Sequence, residues 1–116
     1  MTVETVPDGP RGVRVLRASG ELDIAVAPDL QARVPELVEG AAGVVLDLRP
    51  VTFLDSAGVR LVDRFAHECG RRDVAFVAVA PPRGAARRVL EIVGFGPPLV
   101  VDELSVAIAS ASPRGA

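Results

Sequence analysis

The residues of this chain whose types and spacing could do chemistry are Phe53-Leu54-Asp55-Ser56-Ala57-Gly58-Val59. A short apolar run stops at Asp-Ser, and Leu61, Val62, Phe65 and Cys69 then recur at helical spacing, so the segment reads as a strand handing over to a helix. The first turn of a helix leaves N–H groups unpaired, and these donors, with the positive end of the helix dipole, favour an anion, including a phosphate carried by a side chain. Ser56 would hold its hydroxyl exposed and close to those donors. Ala57 adds little bulk there, and Gly58 lets another backbone approach closely. Asp and Ser are also favoured N-caps, so simple capping is the competing reading of the same residues.

Other chemistries fit less well. A serine hydrolase needs a base and an oxyanion hole, yet the segment lacks a Gly-x-Ser-x-Gly elbow and His67 is the one histidine. On the helix carrying Leu61, Val62, Phe65 and Cys69, position 67 falls on the solvent side, roughly 16 Å along the axis from Ser56 at the helical rise per residue. Cys69 has the spacing of a core position and reads as a small buried hydrophobe rather than a reactive thiol. Asp47 follows an apolar strand and reads as a structural hydrogen-bonding group. Asp23 reads as a turn acid. Arg71-Arg72 complement a helix end, Arg87-Arg88 suit a solvated helix face, and Phe95 suits a loop anchor on the core. Arg60 and Arg64 lie one turn apart on the Ser56 helix, where solubility or contact with an acidic partner or the Ser56 region are both open roles. The sequence has no lysine, so a phosphate-binding glycine-rich loop with its lysine is absent, which argues against an independent nucleotide-hydrolysing activity.

The elements that must position these residues can be read along the chain. Val13-Arg14-Val15-Leu16-Arg17-Ala18 alternates as a half-buried strand, which Gly20 is expected to break. Pro28 opens a helix with Leu30, Val34, Leu37 and Val38 on one face, and Pro35 inside it predicts a kink or an early end. Gly43 to Leu48 suits a strand buried on both faces, as in parallel sheets. The Ser56 helix is expected to stop at Gly70, Val74 to Ala80 is the strongest strand signal, and Ala86, Val89, Leu90 and Val93 mark a helix closed by Gly94. Leu99-Val100-Val101 is a last strand, and Asp102 is expected to cap a terminal helix carrying Leu104, Ile108 and Ala111. Residues 1–10 and 112–116 read as frayed ends. The alternation predicts an α/β layer fold, with about five strands in a partly parallel sheet and about four helices.

The chain has 116 residues and a formal net charge of −2, which suits one domain, taken as residues 1–116 with a core of about 10–111. The hydrophobic fraction of 49% is that of a folding chain. The longest apolar run, Val74 to Ala80, is seven residues, far below the roughly 20 needed to span a bilayer. The first twelve residues lack the apolar segment of a secretory signal. One cysteine and one histidine exclude an internal disulfide framework and make no conventional zinc set. A mildly acidic balance, with four Phe and neither Trp nor Tyr, argues against a nucleic-acid surface. These features predict a cytoplasmic domain with little catalytic equipment.

Gly20-Glu21-Leu22-Asp23, Val45-Leu46-Asp47-Leu48 and Phe53-Leu54-Asp55-Ser56-Ala57-Gly58, in that order and separation, resemble the STAS family (sulphate transporter and anti-sigma factor antagonist). The helix between Pro81 and Phe95 resembles the family's next one, so the likeness covers about residues 10–110. The resemblance implies a sheet with helices packed mainly on one side. It also implies the function of a bacterial anti-sigma factor antagonist, in which the serine after the aspartate is phosphorylated by a partner that is both kinase and anti-sigma factor. On this chain the implied phosphoacceptor is Ser56, and the implied partner surface comprises Asp23, Asp55, Ser56, Ala57, Gly58 and Arg60. No cofactor is implied for the chain itself. ATP and magnesium belong to the partner kinase, and a phosphoserine phosphatase would reset the serine. Many antagonists carry Ser or Thr where this chain has Ala57, which leaves Ser56 as the acceptor in that loop. The alternative from the same resemblance is an unphosphorylated STAS subunit regulating an ABC-type phospholipid transporter ATPase, whose segment is similar in having Ala and Gly after the hydroxyl residue.

Overall fold

Apolar patterning decides which face of each element turns inward, and the computed structural model, which describes residues 2–6 and 9–113, shows a six-stranded mixed sheet with helices on both faces. The strands are β1 (Thr2–Val6), β2 (Val13–Leu22), β3 (Gly43–Asp47), β4 (Val51–Leu54), β5 (Ala75–Val79) and β6 (Val100–Val101). The helices are α1 (Ala27–Val38), α2 (Ser56–Arg71), α3 (Ala85–Ile92) and α4 (Leu104–Ala111). β1 runs antiparallel to β2, with Val6 opposite Val15, and β2, β3, β5 and β6 follow in parallel. β4 lies off that path and pairs in parallel with the last residues of β2, Leu54 beside Leu22.

β3 is buried along its whole length, as a central parallel strand must be. Val44 and Leu46 face the main core with Leu30, Val34 and Leu37 of α1, Leu61, Phe65 and Cys69 of α2, and Leu90 of α3. Val45 faces the other way, into a smaller cluster with Val13, Val15, Val77 and Val79 under Ala107 and Ala111 of α4. Three helices therefore share one face of the sheet and α4 alone covers part of the other. The Phe65 ring stacks on Phe76, centroids 6.0 Å apart, tying α2 to β5.

Several local expectations are corrected. Residues 2–6, expected to fray, form the edge strand β1, because β3 pairs along one side of β2 and the other side is left as an open ladder edge. At the other end Ser112 turns its hydroxyl back to donate to the Ile108 carbonyl, and residues 114–116 lie outside the described part. Gly20 does not end β2. It sits inside the strand at φ +89°, where the pairing register shifts between Gly20 and Glu21, so the glycine lets the strand turn toward β4. Pro35 does not end α1, which continues to Val38; the Pro35 carbonyl accepts from Arg72, and Arg14 donates to the Leu37 and Glu39 carbonyls at the helix end. α2 runs past Gly70, and the left-handed residue that turns the chain is Asp73, at φ +60°. Asp102 does not cap α4. Its carboxylate takes Arg87 at 2.6 Å, an arginine that also donates to the Ala80 carbonyl, and Glu103 occupies the cap position without a side-chain bond.

Two buried carboxylates hold the frame. Asp47, at the end of β3, accepts from the Arg49 backbone and guanidinium and from Arg17 across the strand pair. Burial works to raise its carboxyl, and the hydrogen bonds and charge of Arg49, with Arg17, outweigh it and hold the group below its ordinary range. Glu68, on α2, accepts from Arg71, Arg64 and Arg72, and through Arg72 it reaches the Pro35 carbonyl of α1. Those three arginines bring its carboxyl from the usual 4.5 down to about 2.

A folded-state value below the unfolded one contributes stability that is fully present above pH 4.5 and is lost as the pH falls through the folded value near 2. Unfolding titrations of the wild type and Glu68→Gln between pH 7 and pH 2 should therefore show a shallower acid loss in the variant; parallel curves would contradict the clamp. A second expectation concerns α4: a Cβ on Gly43 would lie 2.0 Å from the Ala111 carbonyl oxygen, so Gly43→Ala must displace the helix end. Thermal melts should show a loss of about 1–3 kcal/mol, the usual range for overpacking.

Candidate functional site

β2 and β4 run in parallel and end together, so the two loops that follow them meet at one end of the sheet. The first loop begins at Asp23, whose carboxylate accepts from the Ala25 N–H at 3.0 Å while its carbonyl accepts from Val26 and Ala27, which starts α1. This is the local turn chemistry read from the sequence. The second loop is a single residue, Asp55, between the last residue of β4 and the first of α2.

Asp55 makes five hydrogen bonds. Its backbone N–H donates to the Leu22 carbonyl at 3.2 Å, and its own carbonyl accepts from Val59 at 3.0 Å, closing the first helical turn. One carboxylate oxygen, Oδ1, accepts from the Ala57 N–H at 2.9 Å and from the Gly58 N–H at 3.2 Å. The other, Oδ2, accepts from the Ile24 N–H at 3.2 Å, in the neighbouring loop. The N-cap is thus also the fastener between the two loops. Gly58 completes the junction, because a Cβ there would lie 2.7 Å from the Leu22 carbonyl oxygen and 2.8 Å from Leu54 Cγ. The glycine is needed for close approach; its φ is an ordinary helical one.

The structure brings Asp23, Asp55, Ser56, Ala57 and Gly58 together and divides them by exposure. Ser56, first residue of α2, is exposed, and Asp23 and Asp55 are half-buried. Ala57 and Gly58 are buried, so they set the position of the loop rather than its surface. Arg60 is exposed one turn along α2. Arg64 is drawn away to Glu68, 2.9 Å distant, which removes it from the Ser56 region. His67 is exposed on α2, and Cys69 is fully buried, its thiol pushed up to about 11 chiefly by burial. Among the described residues there is no group of three His, Cys, Asp or Glu side chains that could hold a metal ion, and no helix long and apolar enough to cross a membrane.

Of the two readings of this helix start, anion site or N-cap, the capping one holds: the Asp55 carboxylate occupies the N–H groups of residues 57 and 58. Ser56 therefore stands beside a satisfied, negatively charged cap, not a vacant anion site. Sequence reasoning also missed two apolar residues at the junction: Ile24 is 71% exposed and Phe53 is 47% exposed. Phe53 carried a misleading signal, because alternation from Val51 places it inside, whereas β4 buries Val51 and Leu54. Glu68 had a legible signal in Arg64, Arg71 and Arg72, at the −4, +3 and +4 spacings along one helix.

Comparison with known proteins places this arrangement. Residues 5–110 match the STAS domain. The anti-sigma-F factor antagonist RsfB of Mycobacterium tuberculosis is 34% identical over 86 residues, covering 72% of this chain and 68% of that protein. Among solved structures, an anti-sigma factor antagonist from Mycobacterium paratuberculosis superposes with a TM-score of 0.74 at 27% identity, over 95% of this chain and 94% of the other. The Bacillus cell fate determinant SpoIIAA in its phosphorylated form shares the fold, with a TM-score of 0.67 at 24% identity over 88% and 91% of the two chains. With its three sequence blocks lying at the ends of β2, β3 and β4 and a family match that spans nearly all of its length, the chain belongs to the STAS domain family.

Proposed function

We propose that this STAS domain is an anti-sigma factor antagonist that binds an anti-sigma factor/serine kinase while Ser56 is unmodified and is released when Ser56 is phosphorylated. The observation that carries the reading is the exposed Ser56 hydroxyl at the start of α2, fixed in place by Asp55 and Gly58 and flanked by carboxylates. The likeness to mycobacterial antagonists supports it. In this reading the chain is a substrate and a binding module, not an enzyme. The kinase supplies ATP and magnesium; the Ser56 Oγ–P bond forms as the bond between the γ-phosphorus and the bridging oxygen breaks. ADP departs, and the hydroxyl proton passes to a base on the kinase. A separate phosphoserine phosphatase, working with it in the cytoplasm, restores the hydroxyl.

Phosphorylation adds about −1.5 to −2 charges and three acceptor oxygens. The helix start offers less new neutralisation than an open one, since Asp55 already holds the N–H groups of residues 57 and 58, and Asp23 and Asp55 add like charge close by. A kinase partner also brings nucleotide phosphates toward Ser56, so a phosphate already there meets them. Burying that dianion at an interface is unfavourable. A loss of about 3–4 kcal/mol weakens binding by two to three powers of ten. Release then needs no change of fold.

Incubation with the kinase and ATP–magnesium, followed by peptide mass spectrometry, should place one phosphate on Ser56 and none on Ser56→Ala; modification that persists in the variant would overturn the acceptor assignment. Ser56→Asp, which carries part of the charge, should lose roughly 100-fold or more in affinity for the anti-sigma factor on the same scale, and unchanged affinity would contradict the electrostatic release.

A further inference from the structure

We infer that Ile24 and Phe53 are the apolar anchors through which this chain holds its partner, and that the partner presents an apolar pocket bordered by arginine or lysine. This rests on the antagonist reading and names the surface chemistry of that same site. Ile24 and Phe53 both precede Ser56 but lie far apart in sequence, one in the loop after β2 and one on β4, and the parallel pairing of β2 with β4 brings both to the junction. Phe53 stands two residues before Asp55, on β4, beside Glu21 in the parallel register. Ile24 donates its N–H to the Asp55 carboxylate. An exposed isoleucine whose own backbone is hydrogen-bonded to a helix cap is held in its outward position, so little ordering remains to be done when it docks.

Charge selects the occupant. The junction carries Glu21, exposed, and Asp23 and Asp55, half-buried, with Arg60 one turn along α2. A second copy docked face to face would set these carboxylates against their own counterparts, and a nucleic acid would set its phosphates against them. A different protein with a basic rim is attracted, and its apolar pocket takes the two side chains. The same pocket explains the switch: seating Ile24 and Phe53 removes water from Ser56, which a hydroxyl tolerates and a phosphate dianion does not. Val106 on α4 is a matched control, because it is also 47% exposed but belongs to the C-terminal helix, which packs on β3 and β5.

The test is calorimetric titration of the anti-sigma factor from the same genome with the full chain and its variants. Ile24→Ala and Phe53→Ala should each bind about tenfold more weakly or worse, as central interface anchors do. Val106→Ala should bind as the wild type, and all should melt at the wild-type temperature. Wild-type binding abolished by Ser56→Asp but unaffected by Ile24→Ala and Phe53→Ala would overturn the anchors and leave the antagonist reading standing. An equal loss in Val106→Ala would overturn the localisation to this junction. A wild-type chain that does not bind the anti-sigma factor would overturn both.

Discussion

The carboxylate of Asp55 is the interaction on which the rest of the site depends. Through one oxygen it satisfies two donors of the α2 start, and through the other it fixes the loop that carries Ile24. Removing it would leave orphan N–H groups at the helix end and free the neighbouring loop together, so capping and loop placement are one constraint. Gly58 is its steric counterpart, since the Leu22 carbonyl occupies the space a side chain would need. The Asp-Ser-x-Gly segment therefore has a mechanical reason for its order. The aspartate caps, the serine is left outward at the first helical position, and the glycine lets the two loops close.

The remainder of the fold makes that junction rigid. α2 is fixed at its far end by Glu68 with Arg64, Arg71 and Arg72, and Arg72 continues the connection to α1 at Pro35. Between the ends, Leu61, Val62, Phe65 and Cys69 press on the sheet. β2 reaches past its pairing with β3 to pair with β4, and the bend at Gly20 makes that second pairing reachable. A helix anchored at both ends and along its buried face can carry a change of charge at its first residue without moving. The proposed switch is thus local by construction.

Most of this was legible in the sequence where a residue's role follows from its neighbours along the chain. The periodicity of α2, the doubly buried run of β3, the core position of Cys69 and the Asp55-Ser56 junction all belong to that kind. What was not legible depends on contacts distant in sequence. β1 looked like a loose end because the open side of β2 that it covers is apparent only once β3 is paired on the other side. Gly20 looked like a stop because a bend toward β4 cannot be told from a break before β4 is placed. Gly70 drew the helix stop that belongs to Asp73. The helix start belongs with the legible part: of its two readings, anion site or N-cap, the cap is the one formed, by the residue directly before Ser56. Phe53 and Ile24 escaped notice because apolar residues are expected inside, and only the finished sheet edge shows them outside.

The central claim is that a phosphate on Ser56 acts at this junction alone. It is tested most directly by comparing backbone amide NMR spectra of the unmodified chain and the chain phosphorylated at Ser56. The account predicts shifts confined to the loop around Asp23 and Ile24 and the first turns of α2, with β3, β5 and α4 unchanged. Shifts spread through those strands and α4 would contradict it.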